Sequence, residues 1–156
     1  MDYELFIFTE LSTESLAAII QRLITDSDEE VSIHYNEEEV TIGSAYFSLA
    51  LEIEDISDIS FIRQHYNLDV NVCIRVEIFG KTSYQGFDLL FKVIGGLLTE
   101  LECNLLFLEN GSHQLLRREN GQLYINNHLD EYQVKYLTQD RLDLLNQTYV
   151  EKRLSN

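Results

Sequence analysis

Proline is absent from the 156 residues, where about 5% is usual, so the chain has no Pro-rich linker and no cis-proline turn. Cysteine occurs only at Cys73 and Cys103, with no C-x-x-C and no neighbouring histidine at metal-ligand spacing. Both read as small buried hydrophobes, and reduced thiols fit a cytoplasmic protein. Basic residues are scarce, 11 against 27 acidic ones, for a formal net charge of −16. A field of that sign repels DNA, RNA and anionic headgroups and attracts basic proteins. The bland alternative is that the acidity serves solubility. The motifs G-x-S-x-G, G-x-x-x-x-G-K and G-x-G-x-x-G are missing, and with them the hydrolase, P-loop and dinucleotide signatures. The opening MDYELFIF lacks a positive n-region and a cleavage site, so no export is expected.

What is present is organised around Gly86–Glu102, where Phe87, Leu90, Phe91, Ile94, Leu97, Leu98 and Leu101 recur at helical spacing. Asp88 and Lys92 interrupt this stretch, and it falls short of the roughly 20 apolar residues of a membrane span. Gly95–Gly96 inside it costs about 1 kcal/mol per glycine relative to alanine, which close approach of another element would offset. Tyr3–Phe8 reads as a strand, and Ser12 as the N-cap of an amphipathic helix carrying Leu16, Ile19, Ile20, Leu23 and Ile24. A short strand follows with Val31, Ile33 and Tyr35 on one face, then a longer one from about Val40 to Glu54 with a bend at Gly43. One or two helical turns are expected within Asp55–Leu68. Val70–Phe79 is the clearest alternating strand, and Asn110–Gly111 and Asn120–Gly121 predict a three-stranded meander ending at Asn126. A short helix around Gln139–Gln147 closes the pattern. The expected fold is a single α+β domain over 1–156, an antiparallel sheet packed against two main helices, with strand-helix-strand-strand order in each half.

Acidic residues cluster. Asp26, Asp28, Glu29 and Glu30 precede the short strand, Glu37, Glu38 and Glu39 follow it, and Glu52, Glu54, Asp55 and Asp58 continue the theme. For any single residue a solvated loop is the simpler account; as a set they suggest a docking surface for a cationic partner. Tyr35 and Tyr46 would supply hot-spot area there. Catalytic carboxylate pairs need a cleft and opposed environments, which spacing alone does not show. His34, His65, His113 and His128 are scattered, none with a second ligand at i+3 or i+4, so no metal or other cofactor is expected. Arg117–Arg118, the only adjacent basic pair, is too small for a nucleic-acid footprint.

The run FDLLFKVIGGLL, then LLFLENG, then LLRRENGQLYIN, resembles the C-terminal half of the Sit-type immunity proteins, which protect bacteria against toxins delivered by kin. Leu105–Gly111 and Leu115–Leu123 carry most of the likeness, and Thr9, Leu11, Ser12 and Glu14 are similar to the family's opening helix cap. Residues 36–67 have no counterpart, and the tail lacks the aromatic pair that follows the meander in that family. The resemblance implies a non-catalytic cytoplasmic protein that neutralises a cognate toxin, a nuclease among the fitting kinds, by stoichiometric binding. The competing expectations are an acidic scaffold or adaptor domain and, in third place, a small hydrolase built on scattered carboxylates and histidines.

Overall fold

The computed structural model describes residues 2–155. At its centre lies β1 (Asp2–Ile7), which pairs antiparallel with β5 (Val72–Ile78) on one side and β6 (Leu105–Glu109) on the other. Beyond β5 come β4 (Phe47–Glu52), β3 (Glu39–Gly43) and β2 (Ser32–Tyr35); beyond β6 come β7 (His113–Glu119), β8 (Gln122–Asn126) and β9 (Tyr149–Lys152). Among the described residues this is one nine-stranded sheet, antiparallel except where β9 runs parallel to β8. The α+β expectation holds.

The two main helices cover one face. Ser12 caps α1 (Thr13–Asp26) by accepting from the Ser15 amide at 3.1 Å, which satisfies one of the unpaired donors of the first turn. Leu16, Ala17, Ile20 and Ile24 then face inward. α3 (Ser83–Leu101) follows a single 3-10 turn and buries nearly its whole length against Leu5, Ile7, Leu49, Val76 and Phe107. Arg118 donates to the Leu98 carbonyl at 2.6 Å, placing a cation on the negative end of α3. Gly95 and Gly96 are packing devices: a Cβ on the first would strike the backbone of Leu145, and one on the second would meet Leu23 of α1.

The opposite face is covered only in part. There α2 (Ile59–Tyr66) lays Ile62 and Tyr66 over Phe6, Cys73, Leu106 and Leu108 in a second, smaller core. Arg117 reaches the end of this helix, donating to the carbonyls of Tyr66 at 2.7 Å and Asn67 at 3.2 Å. α4 (Gln133–Tyr136) and α5 (Gln139–Asp143) are single turns before β9.

Two expectations change. The strand drawn from Val40 to Glu54 is a hairpin, β3 and β4, turned at Ser44: its amide donates to the Phe47 carbonyl at 3.0 Å, and its hydroxyl accepts from the amides of Tyr46 and Phe47 at 3.2 Å. The turn uses a side-chain oxygen where Gly43 had suggested only a bend. The tail helix around Gln139–Gln147 is shorter than expected, and the polar end adds β9 to the sheet.

Candidate functional site: an acidic half of the sheet

Cross-strand register places side chains in rows on the face that α2 leaves open. One row runs Gly43, Ser48, Glu77, Asp2; the next runs Thr41, Ala50, Arg75, Glu4; a third begins Glu39, Glu52. Small side chains on β3 and β4 beside long charged ones on β5 and β1 leave a groove of about 730 Å³, which the Asn110–Gly111 turn flanks. Asp2, Glu4, Glu39 and Glu77 line it, and among the described residues Arg75 is its one cation.

Arg75 is spoken for. Its guanidinium bonds Glu39 and lies 3.3 Å from Glu52, whose side chain is only 3% exposed. Glu52 also accepts from the amides of Ile56 at 3.3 Å and Ser57 at 3.2 Å, and from the Ser57 hydroxyl at 2.6 Å. A buried carboxylate with this many partners holds the loop after β4 in place. Glu4 sits above the ordinary carboxylate range, mainly because burial disfavours its anion; the charge of Glu52 adds to this and Arg75 opposes it. The Cys73 thiol, beneath the same cluster, is pushed up to about 12, chiefly by burial, and is not a nucleophile at neutral pH.

The loop that Glu52 holds builds an acidic corner. The amides of Ile53 and Glu54 both donate to the Glu38 carbonyl, at 2.8 and 3.1 Å, tying the β2–β3 turn to the start of the α2 loop. Asp55 and Asp58 cap the entry to α2 through the amides of Ile59 at 3.0 Å and Phe61 at 3.2 Å. The same loop and the first turn of α2 carry three exposed apolar side chains, Ile53, Ile56 and Phe61, interspersed in sequence with Glu54, Asp55 and Asp58. Exposed large apolar groups among charged ones are a feature of protein-binding surfaces.

The sequence-derived candidates therefore divide. Glu37, Glu38, Glu39, Glu52, Glu54, Asp55 and Asp58 gather at this corner, with Glu39 and Glu52 turned inward onto Arg75. Asp26, Asp28, Glu29 and Glu30 lie at the other end of β2, where Asp26 pairs with Arg22 at 3.3 Å. Tyr35 is 57% exposed on the edge strand, whereas Tyr46 is half-buried in the β3–β4 turn, its carbonyl accepting from Phe79. Asp2, Glu4 and Glu77 were missed as site residues, although their alternation with Tyr3, Leu5, Val76 and Ile78 was a visible signal.

A larger signal was also available. Residues 1–80 hold 17 carboxylates and three cations, a net of −14, while residues 81–156 hold ten and eight, a net of −2. Each of the three cations, Arg22, Arg63 and Arg75, is ion-paired. In the other half Arg141 is buried against Asp88 at 2.9 Å and over the rings of Tyr84 and Phe87. The first half builds β1 to β5, so the charge division of the sequence becomes a division of the sheet.

Among the described residues no cluster of three or more His, Cys, Asp or Glu has the geometry to hold a metal ion, and no helix is long and apolar enough to cross a membrane. No protein-family model matches the chain, and no curated protein is similar to it.

Proposed function

We propose that this protein is an immunity-type binder, acting in the cytoplasm and without catalysis, that blocks a basic toxin by covering its cationic substrate-binding surface. One observation carries the reading: nearly all of the net charge resides in the half of the sequence that forms one side of the sheet, where its cations are already paired. Such a lobe steers a cationic protein toward it and accelerates encounter. Ile53, Ile56 and Phe61 offer the apolar anchors that a lasting complex needs. A nuclease fits as the target, because its own substrate is a polyanion and its active surface is basic.

The test is to look for a toxin-like reading frame immediately upstream of the gene and co-express the two, followed by stopped-flow association at graded salt. Native protein is expected to rescue growth, and log kon to fall steeply with ionic strength. Glu37→Lys, Glu38→Lys and Glu54→Lys together are expected to slow association at least about tenfold and to flatten that slope. Unchanged kinetics would remove the corner from the interface, and absence of any rescue would remove the immunity role.

A further inference from the structure

We infer that β2 is a docking edge, onto which an extended basic segment of the partner adds as a further strand of the sheet. The inference rests on the reading of this protein as a binder of a basic partner and names where that partner attaches.

Among the described residues β2 pairs with β3 alone, at the end of the sheet. The hairpin closes with the Asn36 amide donating to Glu39 at 3.1 Å, and the pairs that follow are Tyr35–Val40, His34–Thr41 and Ile33–Ile42. Hydrogen-bonded and non-bonded pairs alternate in an antiparallel ladder, so Ile33 and Tyr35 turn their backbone N–H and C=O groups away from β3. Nothing among the described residues meets them.

Apart from its shortness, four residues, the devices that usually protect an edge are missing from the strand itself. Ser32–Tyr35 has no proline, no acidic or lysine side chain, and a regular register without a bulge. The opposite edge differs: β9 carries Glu151 and Lys152 within the strand.

What brackets β2 selects its occupant. Asp28, Glu29 and Glu30 precede it, and Glu37 and Glu38 follow it. A second copy of this chain is disfavoured in either direction, since antiparallel pairing sets one acidic cluster beside the other and parallel pairing sets each beside its twin. An incoming strand with lysine or arginine at both ends meets opposite charge at both ends, while its central residues complete the ladder. The same carboxylates that keep copies apart thus admit a cationic strand.

The probe is the peptide acetyl-Lys-Lys-Val-Thr-Val-Thr-Lys-Lys-amide, titrated into the full chain at low salt with amide hydrogen exchange as readout. Exchange at Ile33 and Tyr35 is expected to slow by about tenfold or more. The peptide N-methylated across its four central residues, and the peptide with glutamate in place of every lysine, are expected to leave that exchange unchanged. Tyr35→Pro removes an outward donor without touching the core and is expected to weaken binding at least about tenfold. Should that variant fail to fold, the N-methylated peptide decides the matter on native protein. Equal binding of the N-methylated peptide, or protection in the groove with Ile33 and Tyr35 unaltered, would overturn the inference. If the toxin binds and Tyr35→Pro is neutral toward it, β2 falls and the acidic-lobe reading stands; if neither toxin nor basic peptide binds, both fall.

Discussion

A Cβ placed on Gly95 would lie 2.8 Å from Leu145 Cα and closer still to its carbonyl oxygen, so α3 and the turn after α5 touch backbone to backbone. Backbone cannot move aside as a side chain can. Gly95→Ala is expected to destabilise by about 2–3 kcal/mol, despite the roughly 1 kcal/mol by which alanine favours a helix. At Gly96 the obstacle is the end of the Leu23 side chain, 2.6 Å from the added atom, and Gly96→Ala should change stability by no more than about 1 kcal/mol. Urea midpoints for the two variants check the contrast.

Arg75 is the cation that makes a buried Glu52 tolerable. Arg75→Met is expected to cost about 2 kcal/mol at neutral pH, less than the 3–5 typical of a fully buried pair because the guanidinium is partly in water. Adding Glu52→Gln should recover part of the loss. A double-mutant cycle measures the coupling, and additive effects would show that the two groups do not depend on each other.

Glu4 gives a pH prediction of definite sign. Its raised value means that the folded state holds the proton where the unfolded chain, with an ordinary carboxyl near 4.5, has released it. This group therefore lowers stability at neutral pH, and the penalty fades as pH falls through the folded value toward the unfolded one. Glu4→Gln should raise the urea midpoint at pH 7.5, and the gain should vanish below about pH 4. A loss at pH 7.5 would show that the anion is needed there.

Self-repulsion among carboxylates predicts a salt response. Raising sodium chloride from 20 mM to 0.5 M shortens the Debye length from roughly 20 Å to about 4 Å. The expected gain is about 1 kcal/mol, or 2–4 °C in Tm at this chain length. Calorimetry at the two concentrations is sufficient.

Both thiols are buried, and burial pushes each up. Neither Cys73 nor Cys103 should react with Ellman's reagent in native protein over minutes, while both should titrate in 6 M guanidinium. Rapid native labelling would mean that the small core beneath α2 opens readily.

Much of this architecture was legible in advance, because strongly periodic elements announce themselves. Ser12 capping α1, the α3 stripe and the Asn-Gly turns appear where spacing and turn chemistry placed them. The β3–β4 hairpin was hidden because its turn, Ser44-Ala45-Tyr46, holds no glycine, proline or asparagine and is closed by a serine hydroxyl. β9 was hidden because four residues, largely exposed, show no alternation. The second core under α2 needed tertiary knowledge: Phe6 and Cys73 point away from their neighbours' apolar set, and only α2 explains them. For the site, the clusters were visible, but their division between corner and far end, and the inward turn of Glu39 and Glu52, depended on which strands pair.

The placement of β1 between β5 and β6 has a consequence for how the molecule is made. It is the earliest strand of this sequence, yet the strands that flank it begin only at residues 72 and 105. At roughly 5–20 residues per second on the ribosome, Leu5, Phe6 and Ile7 wait several seconds for a partner. Loop closures this long slow refolding as well, so a nascent chain of this protein should lean on a holdase until the middle third has emerged.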